Sequence, residues 1–192
     1  QLALSLDECR DFIADVELDW SQERIAKLHQ VTQGWMAGLI LWLLRDLAIS
    51  DFPADSADGI PEIVFDYFAG EVLERTDDRT RQFLLKTALM PFMTVETTAR
   101  LTEMPAADIL DGLTRRNFFL EKRQLASTSY QYHPLFHDFL RHRAKRTFSG
   151  ERLHALYRRA AGLMADAGFA EEAIDLYRQA RDFESMVGLI LN

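Results

Sequence analysis

Apolar residues recur at helical spacing along most of the chain and predict a mainly α-helical protein. In residues 4–48 the pattern predicts three helices. Ser5 and Glu8 have the spacing of a capping box, Asp19 or Ser21 can cap the second helix, and Gly34 suits the left-handed position at its end. The third helix is apolar on nearly all sides, which is typical of a buried helix. We therefore expect a small helical bundle over residues 1–49.

The composition changes abruptly in the next segment. Residues 50–61 contain two prolines, several small residues and several acids, and this composition predicts a linker. The helical pattern resumes after Pro61.

Residues 62–148 combine several helices with the main strand signal of the chain. Helical apolar faces are predicted within 63–73 and 83–89, after Thr94 and after Pro105. Residues 118–123 and 130–132, on either side of a small polar turn, then predict a short hairpin. A further helix starts at Pro134, so this order of elements predicts a winged-helix-like subdomain.

The last segment, residues 149–192, is helical again. Gly168 and Asp182 separate three predicted helices, and Tyr157, Tyr177 and Phe183 are interpreted as core residues between them. Short turns and small residues at the expected crossings predict the first helices of a TPR-like helical-repeat solenoid.

Charge and composition narrow the functional classes. The chain has 22 basic and 30 acidic residues and a formal net charge of −8, which argues against nucleic-acid binding by phosphate neutralisation. The single cysteine, Cys9, excludes an internal disulfide framework and a cysteine-based zinc site. Apolar runs fall short of the roughly 18 residues that a membrane span requires, so we expect a cytoplasmic protein. The chain starts without methionine and stops in a predicted helix, so it is interpreted as part of a longer protein.

The strongest candidate for chemistry is the change from strand to helix at residues 130–141. His133 lies directly before Pro134, where backbone N–H groups and the positive end of the helix dipole converge. An imidazole at this point can meet an anion, or it can have the structural role of capping the helix or closing the wing, and the sequence leaves these open. His133 and His137 also have a zinc-binding spacing, but no third ligand is evident nearby, so His137 is interpreted as an ordinary, partly exposed histidine.

Two further groups of charged residues each allow a structural interpretation as well as a functional one. The basic run at residues 141–146 complements the negative end of a helix dipole, with a nucleic-acid patch as the alternative. Arg115 and Arg116 end the helix that would read DNA in a DNA-binding winged helix, but residues 106–112 are acidic on their outer side.

Five segments, in order, resemble one protein family. They are TQGWMAGL at 32–39, DYFAGEVL at 66–73, FLLKTA at 83–88, NFFL at 117–120 and YHPLF at 132–136. They are similar to segments of the MalT-like signal-transducing ATPases, large transcriptional regulators with a LuxR-type C-terminal domain.

The resemblance implies a role for each predicted part. Residues 1–49 would be the helical lid of a nucleotide-binding module, 62–148 its winged-helix subdomain, and 149–192 the opening of the effector-binding repeat domain. The parent protein would bind ATP or ADP, and His133 would reach the β-phosphate of ADP. Trp35 and Met36 would lie at the adenine; relatives carry a proline where this chain has Met36, and methionine can also pack on a purine.

Three functions remain open from the sequence. The first is a regulatory fragment that couples the nucleotide state of an ATP-dependent regulator to its effector domain. Its partners would be the rest of its own nucleotide-binding core, an effector ligand or protein at the repeat domain, and DNA through a separate domain. The second is a partner-binding helical scaffold without nucleotide control, which Met36 favours, and the third is a DNA-binding winged helix. The chain has no G-x-x-x-x-G-K-[ST] loop and no acid-ended strand for magnesium, so we do not expect it to be an enzyme.

Overall fold

The computed structural model describes residues 3–16, 18, 20–32, 34–36, 38–40, 43, 67–115, 119–124 and 128–191. The chain divides into two compact units, Gln1–Arg75 and Thr76–Asn192, and each is described by itself. The predicted linker at residues 50–61 lies outside the described residues.

The first unit begins with two helices that pack on each other, α1 (Leu6–Asp15) and α2 (Gln22–Thr32). The predicted capping box at α1 is confirmed: the Glu8 N–H donates to Ser5 Oγ at 3.3 Å, and the Ser5 N–H donates to Glu8 Oε2 at 2.8 Å. Ser21 Oγ accepts from the N–H of Arg24 at 3.3 Å, so Ser21 caps α2. Among the described residues of this unit, one buried apolar cluster contains Cys9, Ile13, Ile25, Leu28, Leu39 and Leu43.

Gly34 connects the end of α2 to the start of the chain. Its φ of +73° is the left-handed conformation expected of this glycine. Its carbonyl accepts from the N–H of Leu4 at 2.9 Å, and Ala3 and Trp35 form an antiparallel bridge beside it. A Cβ at Gly34 would collide with the carbonyl oxygen of Leu4, so both the conformation and the close approach require glycine.

The rest of the described part of this unit contains a stacked aromatic pair, Trp35 and Phe68. The Trp35 ring lies 5.4 Å from the Phe68 ring with an interplanar angle of 10°, and both side chains are buried. A further neighbour of the indole is Gly38, where a Cβ would lie 2.5 Å from Trp35 Cε3. The absence of a side chain at Gly38 therefore lets the indole lie against the backbone.

The helix predicted over 63–73 differs from expectation in its described part. Phe68–Leu73 is a π-helix, followed by a bond from the Glu74 N–H to the carbonyl of Ala69 at 2.9 Å. Phe68, Val72 and Leu73 are buried. Apolar residues at i, i+4 and i+5 share one face in both kinds of helix, so periodicity alone does not distinguish them.

The second unit opens with the predicted winged helix, in which the helices are α3 (Asp78–Thr87), α4 (Val95–Thr102), α5 (Ala106–Arg115) and α6 (Pro134–Thr147). Strands β1 (Leu120–Gln124) and β2 (Thr128–Tyr132) pair antiparallel between α5 and α6, from Leu120 opposite Tyr132 to Gln124 opposite Thr128. Asp77 caps α3 by accepting from the N–H of Thr80 at 2.9 Å, and Thr94 and Thr97 form a capping box at α4.

Met93 adds a pairing that the sequence does not predict. Its N–H donates to the carbonyl of Tyr130 at 2.8 Å, and its carbonyl accepts from the N–H of Tyr130 at 2.7 Å. This bridge places a one-residue strand between α3 and α4, in the order helix, strand, helix, helix, hairpin of a winged helix. A single residue pair has no periodicity, which is why sequence analysis missed it.

Three more helices follow in the same unit: α7 (Gly150–Asp166), α8 (Ala170–Gln179) and α9 (Phe183–Leu191). They pack in chain order, and α7 also packs on α4 and α6. Gly168 has a φ of +86°, and Asp182 caps α9 by accepting from the N–H of Ser185 at 3.2 Å, both at the predicted separators. A repeat architecture beyond these three helices stays a prediction.

The predicted core positions of this segment are partly wrong. Tyr157 is buried, as expected, and Tyr177 is half-buried, but Phe183 is 58% exposed. Its position at the start of α9 leaves it on the same exposed side as Val187 and Ile190, four and seven residues further on. Among the described residues, no helix combines the length and the apolar character needed to cross a membrane.

The contact between Gly38 and Trp35 yields a matched pair of stability predictions. Gly38→Ala forces a methyl group into the indole, so we expect the free energy of unfolding of the first unit to fall by about 1–3 kcal/mol. All three tryptophans, Trp20, Trp35 and Trp42, belong to this unit, so tryptophan fluorescence during urea unfolding reports on it specifically.

Gly112→Ala is the control, because Gly112 also lies within a helix. Among the described residues, nothing lies within 4 Å of a Cβ built there. Alanine should raise the stability of the second unit by about 0.5–1 kcal/mol, measured by far-UV circular dichroism. Equal effects of the two substitutions on their units would contradict the close contact at Trp35.

Candidate functional site

The candidate site is the point where β2 meets α6. His133 is the N-cap residue of α6 with φ −55° and ψ 135°, and Pro134 occupies the first turn. The N–H of His133 donates to the carbonyl of Phe119 at 2.8 Å, and the carbonyl of His133 accepts from the N–H of His137 at 2.9 Å. The backbone of His133 is thus fixed on the hairpin side and on the helix side.

The side chain of His133 does not have the capping role that the sequence left open. Within the described residues the imidazole makes no capping hydrogen bond to the first turn of α6. The residue is buried, with 6% of its surface exposed. A short Ser, Asp or Asn oxygen reaches back to a helix N–H more readily than an imidazole does. Capping by the side chain is therefore wrong. The bond from the His133 N–H to Phe119, directly before β1, fits the alternative that His133 closes the wing, and contact with an anion stays a prediction.

Tyr132, directly before His133, is bonded to the end of α3. Its hydroxyl lies 2.7 Å from Thr87 Oγ1. The hydroxyl of Thr87 donates to the carbonyls of Phe83 at 2.8 Å and Leu84 at 3.2 Å. Because Thr87 has a single hydroxyl hydrogen, Tyr132 is the donor in the bond between the two side chains. Burial raises the pKa of the Tyr132 phenol well above its usual value, so the phenol keeps this proton.

His137, four residues after His133, is bonded to the same end of α3. Its Nε2 lies 2.9 Å from the carbonyl oxygen of Ala88, so Nε2 carries a proton and donates. Its ring also stacks on that of Tyr132 at 6.3 Å. Burial lowers the pKa of His137 below its usual value, and the positive charge of Arg141 acts in the same direction. The ring is therefore neutral at neutral pH.

Three contacts consequently join the hairpin and α6 to residues 87–93: Tyr130 to Met93, Tyr132 to Thr87, and His137 to Ala88. We call residues 87–93 and 130–137 the junction. The sequence pattern points to His133 but does not predict the roles of Tyr132, His137 and Thr87. The spacing of Tyr130 and Tyr132 on one strand face was the available signal for a buried tyrosine pair. Thr87 carries no such signal.

The other predicted site residues, Trp35 and Met36, belong to the first unit. Trp35 is 8% exposed, and its indole lies against the Phe68 ring and the backbone of Gly38. Met36 is half-buried. Of the two side chains, Met36 is thus the more accessible to a ligand. Their predicted contact with adenine stays a prediction, as does the contact of His133 with a phosphate.

A zinc site at His133 and His137 finds no structural support. Among the described residues, no group of three or more histidine, cysteine, aspartate or glutamate side chains is placed to hold a metal. Nε2 of His137 already donates to Ala88. His137 is half-buried, in line with its interpretation as partly exposed, but it has a specific partner that the sequence did not predict.

A groove of about 420 Å³ lies where α4 and α7 meet. Its charged side chains form ion pairs across it: Arg100 with Asp166 at 3.0 Å, and Arg159 with Glu103 at 2.8 Å. The lining consists of Arg100, Glu103, Arg158, Arg159, Gly162, Leu163 and Asp166. Because each of these arginines has a carboxylate partner, the groove has little net charge to attract an ion.

The two surfaces that could be considered for nucleic-acid binding, the end of α6 and the outer side of α5, carry opposite charges. Residues 142, 143, 145 and 146 near the end of α6 are exposed and basic, whereas Arg141 donates to Gln179 Oε1 at 2.9 Å. On α5, Asp108 and Asp111 are exposed, and Asp111 accepts from the hydroxyl of Tyr130 at 3.3 Å. The expected acidic outer side of α5 is therefore confirmed.

Comparison with known proteins gives concordant results. A family model described as the MalT winged helix domain matches residues 69–159, from within the π-helix into α7. The HTH-type transcriptional regulator MalT of Cronobacter sakazakii (strain ATCC BAA-894) is 33% identical over 199 residues, which cover 100% of this chain and 22% of the relative. The corresponding regulator of Klebsiella pneumoniae (strain 342) is 30% identical over 202 residues with the same coverage. The chain thus spans about a fifth of the length of the curated relatives it matches.

The half-buried, neutral His137 predicts a pH-dependent stability. In the unfolded chain His137 titrates near its ordinary pKa of 6.5, whereas the folded pKa is lower. Below about pH 6.5 the unfolded state binds a proton that the folded state does not, so stability is full above this pH and falls as the pH decreases.

His137→Gln should make the fall in unfolding free energy below about pH 6.5 shallower, because glutamine keeps an N–H donor but does not titrate. Urea unfolding of the second unit at a series of pH values measures this slope. His142→Gln, at an exposed position of the same helix, is the control. A slope that His137→Gln leaves unchanged would contradict a half-buried, neutral imidazole.

Proposed function

This chain is MalT-like along its whole length and carries a MalT winged helix domain at residues 69–159, and from this premise we propose that it is the coupling segment of a transcriptional regulator. In this role the winged helix passes the nucleotide state of the regulator's ATP- or ADP-binding core to the helices that open its effector domain. The segment acts as part of a switch and not as an enzyme. We propose a cytoplasmic location, where such a regulator would meet DNA.

The observation that carries the proposal is the packing of the winged helix on α7, through α4 and α6, and of α7 in turn on α8. Arg159 on α7 pairs with Glu103 and also donates to the carbonyl oxygen of Arg100 at 2.5 Å. Asp166, near the end of α7, pairs with Arg100. Arg159 and Asp166 lie at the two ends of the second half of α7. A displacement of α4 therefore acts on α7 at both positions.

Apolar contacts contribute more to this attachment than the ion pairs do. The side chains of Arg100, Glu103, Arg159 and Asp166 are each about half exposed or more, and exposed ion pairs contribute roughly 0–1 kcal/mol each. Phe92, by contrast, meets Phe169 edge to face at 4.7 Å. Phe148, between α6 and α7, is buried. We infer that apolar packing stabilises the attachment and that the arginines fix its orientation.

The proposed sensor of the nucleotide is His133. Its chemistry fits a phosphate, since an imidazole at the start of a helix can donate a hydrogen bond where the helix dipole favours negative charge. Only 6% of the surface of His133 is exposed, so a phosphate would contact the residue through that small part. When bound, the diphosphate would supply the negative charge that holds the closed state. Trp35 and Met36 would lie at the adenine, with Met36 making the contact and Trp35 supporting it.

Further partners follow from the same role. The rest of the regulator's own nucleotide-binding core would contact the lid and the winged helix. An effector ligand or protein would bind the repeat domain that α7 to α9 open. DNA would be read by a separate domain, because α5 presents Asp108 and Asp111 to solvent where a reading helix requires positive charge.

A second candidate is a partner-binding scaffold with the same fold and without nucleotide control. Met36, in the place where the family's proline packs on adenine, favours it, because methionine lacks the rigid backbone of proline. The ADP affinity of the full-length protein discriminates the two. Measurable binding supports the switch, and lack of binding supports the scaffold.

We expect His133→Ala in the full-length regulator to shift it toward the active state. Loss of a hydrogen bond to a charged phosphate should speed ADP dissociation roughly ten- to hundredfold. Basal transcription from a promoter that the regulator controls should rise accordingly. The measurements are release of a fluorescent ADP analogue and a reporter assay without effector.

His142→Ala, on the exposed surface of the same helix, is the control and should change neither quantity. If His133→Ala leaves both ADP retention and basal transcription at the wild-type level, His133 is not the sensor.

A further inference from the structure

We infer that Tyr132 and His137 are positioning residues that set the place of the His133 imidazole by bonding both of its flanks to the C-terminal end of α3. The inference rests on the proposed nucleotide role of His133 and names how that site is controlled. It makes the end of α3, and not α6 alone, part of the sensor.

Two hydrogen bonds, which we call the clamp, attach the residues on either side of His133 to the C-terminal end of α3. Thr87 and Ala88 are consecutive residues at the end of α3. Thr87 Oγ1 accepts from the Tyr132 hydroxyl at 2.7 Å, and the Ala88 carbonyl accepts from His137 Nε2 at 2.9 Å. Tyr132 precedes His133 by one residue. His137 follows it by one helical turn and bonds its carbonyl through its own N–H.

The two clamping side chains also restrain each other. The rings of Tyr132 and His137 stack at 6.3 Å with an interplanar angle of 25°. Tyr132 further meets Phe136 edge to face at 5.8 Å. Because Tyr132 is buried and His137 is half-buried, these contacts exchange little with water. A shift of the end of α3 therefore moves both flanks of His133 together.

Substitutions at Tyr132 and His137 can distinguish an effect on the position of the His133 imidazole from an effect on folding. Tyr132→Phe removes one hydroxyl, and Thr87 keeps its own bond to Phe83, so no buried donor is left over. His137→Leu removes the second bond. His137→Gln retains an N–H donor at a similar distance from the backbone and is the conservative variant expected to restore the wild-type behaviour.

The first experiment needs no nucleotide and uses the 192-residue chain. In the NMR spectrum of histidine-labelled protein, Tyr132→Phe and His137→Leu should each shift the His133 ring resonances more than those of His29 and His154. His137→Gln and the surface change Arg143→Gln should leave them near their wild-type positions. Unmoved His133 resonances in Tyr132→Phe and His137→Leu would overturn the inference.

The second experiment measures ADP release from the full-length regulator. Tyr132→Phe alone should speed release about fivefold, the effect of one lost hydrogen bond. In the His133→Ala background it should have no further effect, because a positioning residue acts only through the group it positions. Equal effects of Tyr132→Phe in both backgrounds would overturn the positioning role.

Failure of the proposed function is recognised separately. If His133→Ala itself leaves ADP release unchanged, the nucleotide role of His133 fails. The NMR shifts then decide by themselves whether Tyr132 and His137 place the imidazole.

Discussion

The end of α3 presents backbone carbonyls that have no partner within the helix, as every helix end does. In this chain His137 of α6 donates to the carbonyl of Ala88, the C-cap residue of α3. Met93, in the segment that follows α3, pairs with Tyr130 of β2. The Tyr132 hydroxyl adds a side-chain bond to Thr87. The hairpin and α6 are therefore held at one helix end, and the position of His133 follows from that constraint.

The helices that follow the winged helix are likewise attached to it by contacts between elements. Phe148 ends α6 and is buried before α7 begins, and Phe92 and Phe169 meet across the boundary. The exposed ion pairs of Arg100 and Arg159 orient α7 on α4 without contributing most of the stability. The family match also crosses this boundary, because it ends at residue 159 within α7. This attachment is what supports the proposal that the winged helix passes a displacement on to the helices that follow it.

Local signals were sufficient to predict much of this fold. Ser5, Asp77, Thr94 and Asp182 cap the helices that their sequence context predicts, and Pro134 starts α6. Contacts between residues distant in sequence were not predictable. Thr87 and Tyr132, for example, are 45 residues apart. The π-helix has the apolar spacing of an α-helix, so its type is not visible in the sequence. The exposure of Phe183 depends on which residues pack near α9. For the candidate site, the sequence pointed to His133, but its burial and the clamp around it depend on the tertiary structure.

We propose above all that the winged helix and helices α7 and α8, which follow it, form one cooperative body. Native-state hydrogen exchange of the 192-residue chain at increasing denaturant tests it most directly. We expect the most protected amides of α3, α6, α7 and α8 to exchange through a common opening, with the same free energy and the same denaturant dependence. Exchange of α7 and α8 at a clearly lower free energy, while α3 and α6 stay protected, would contradict transmission through a single body.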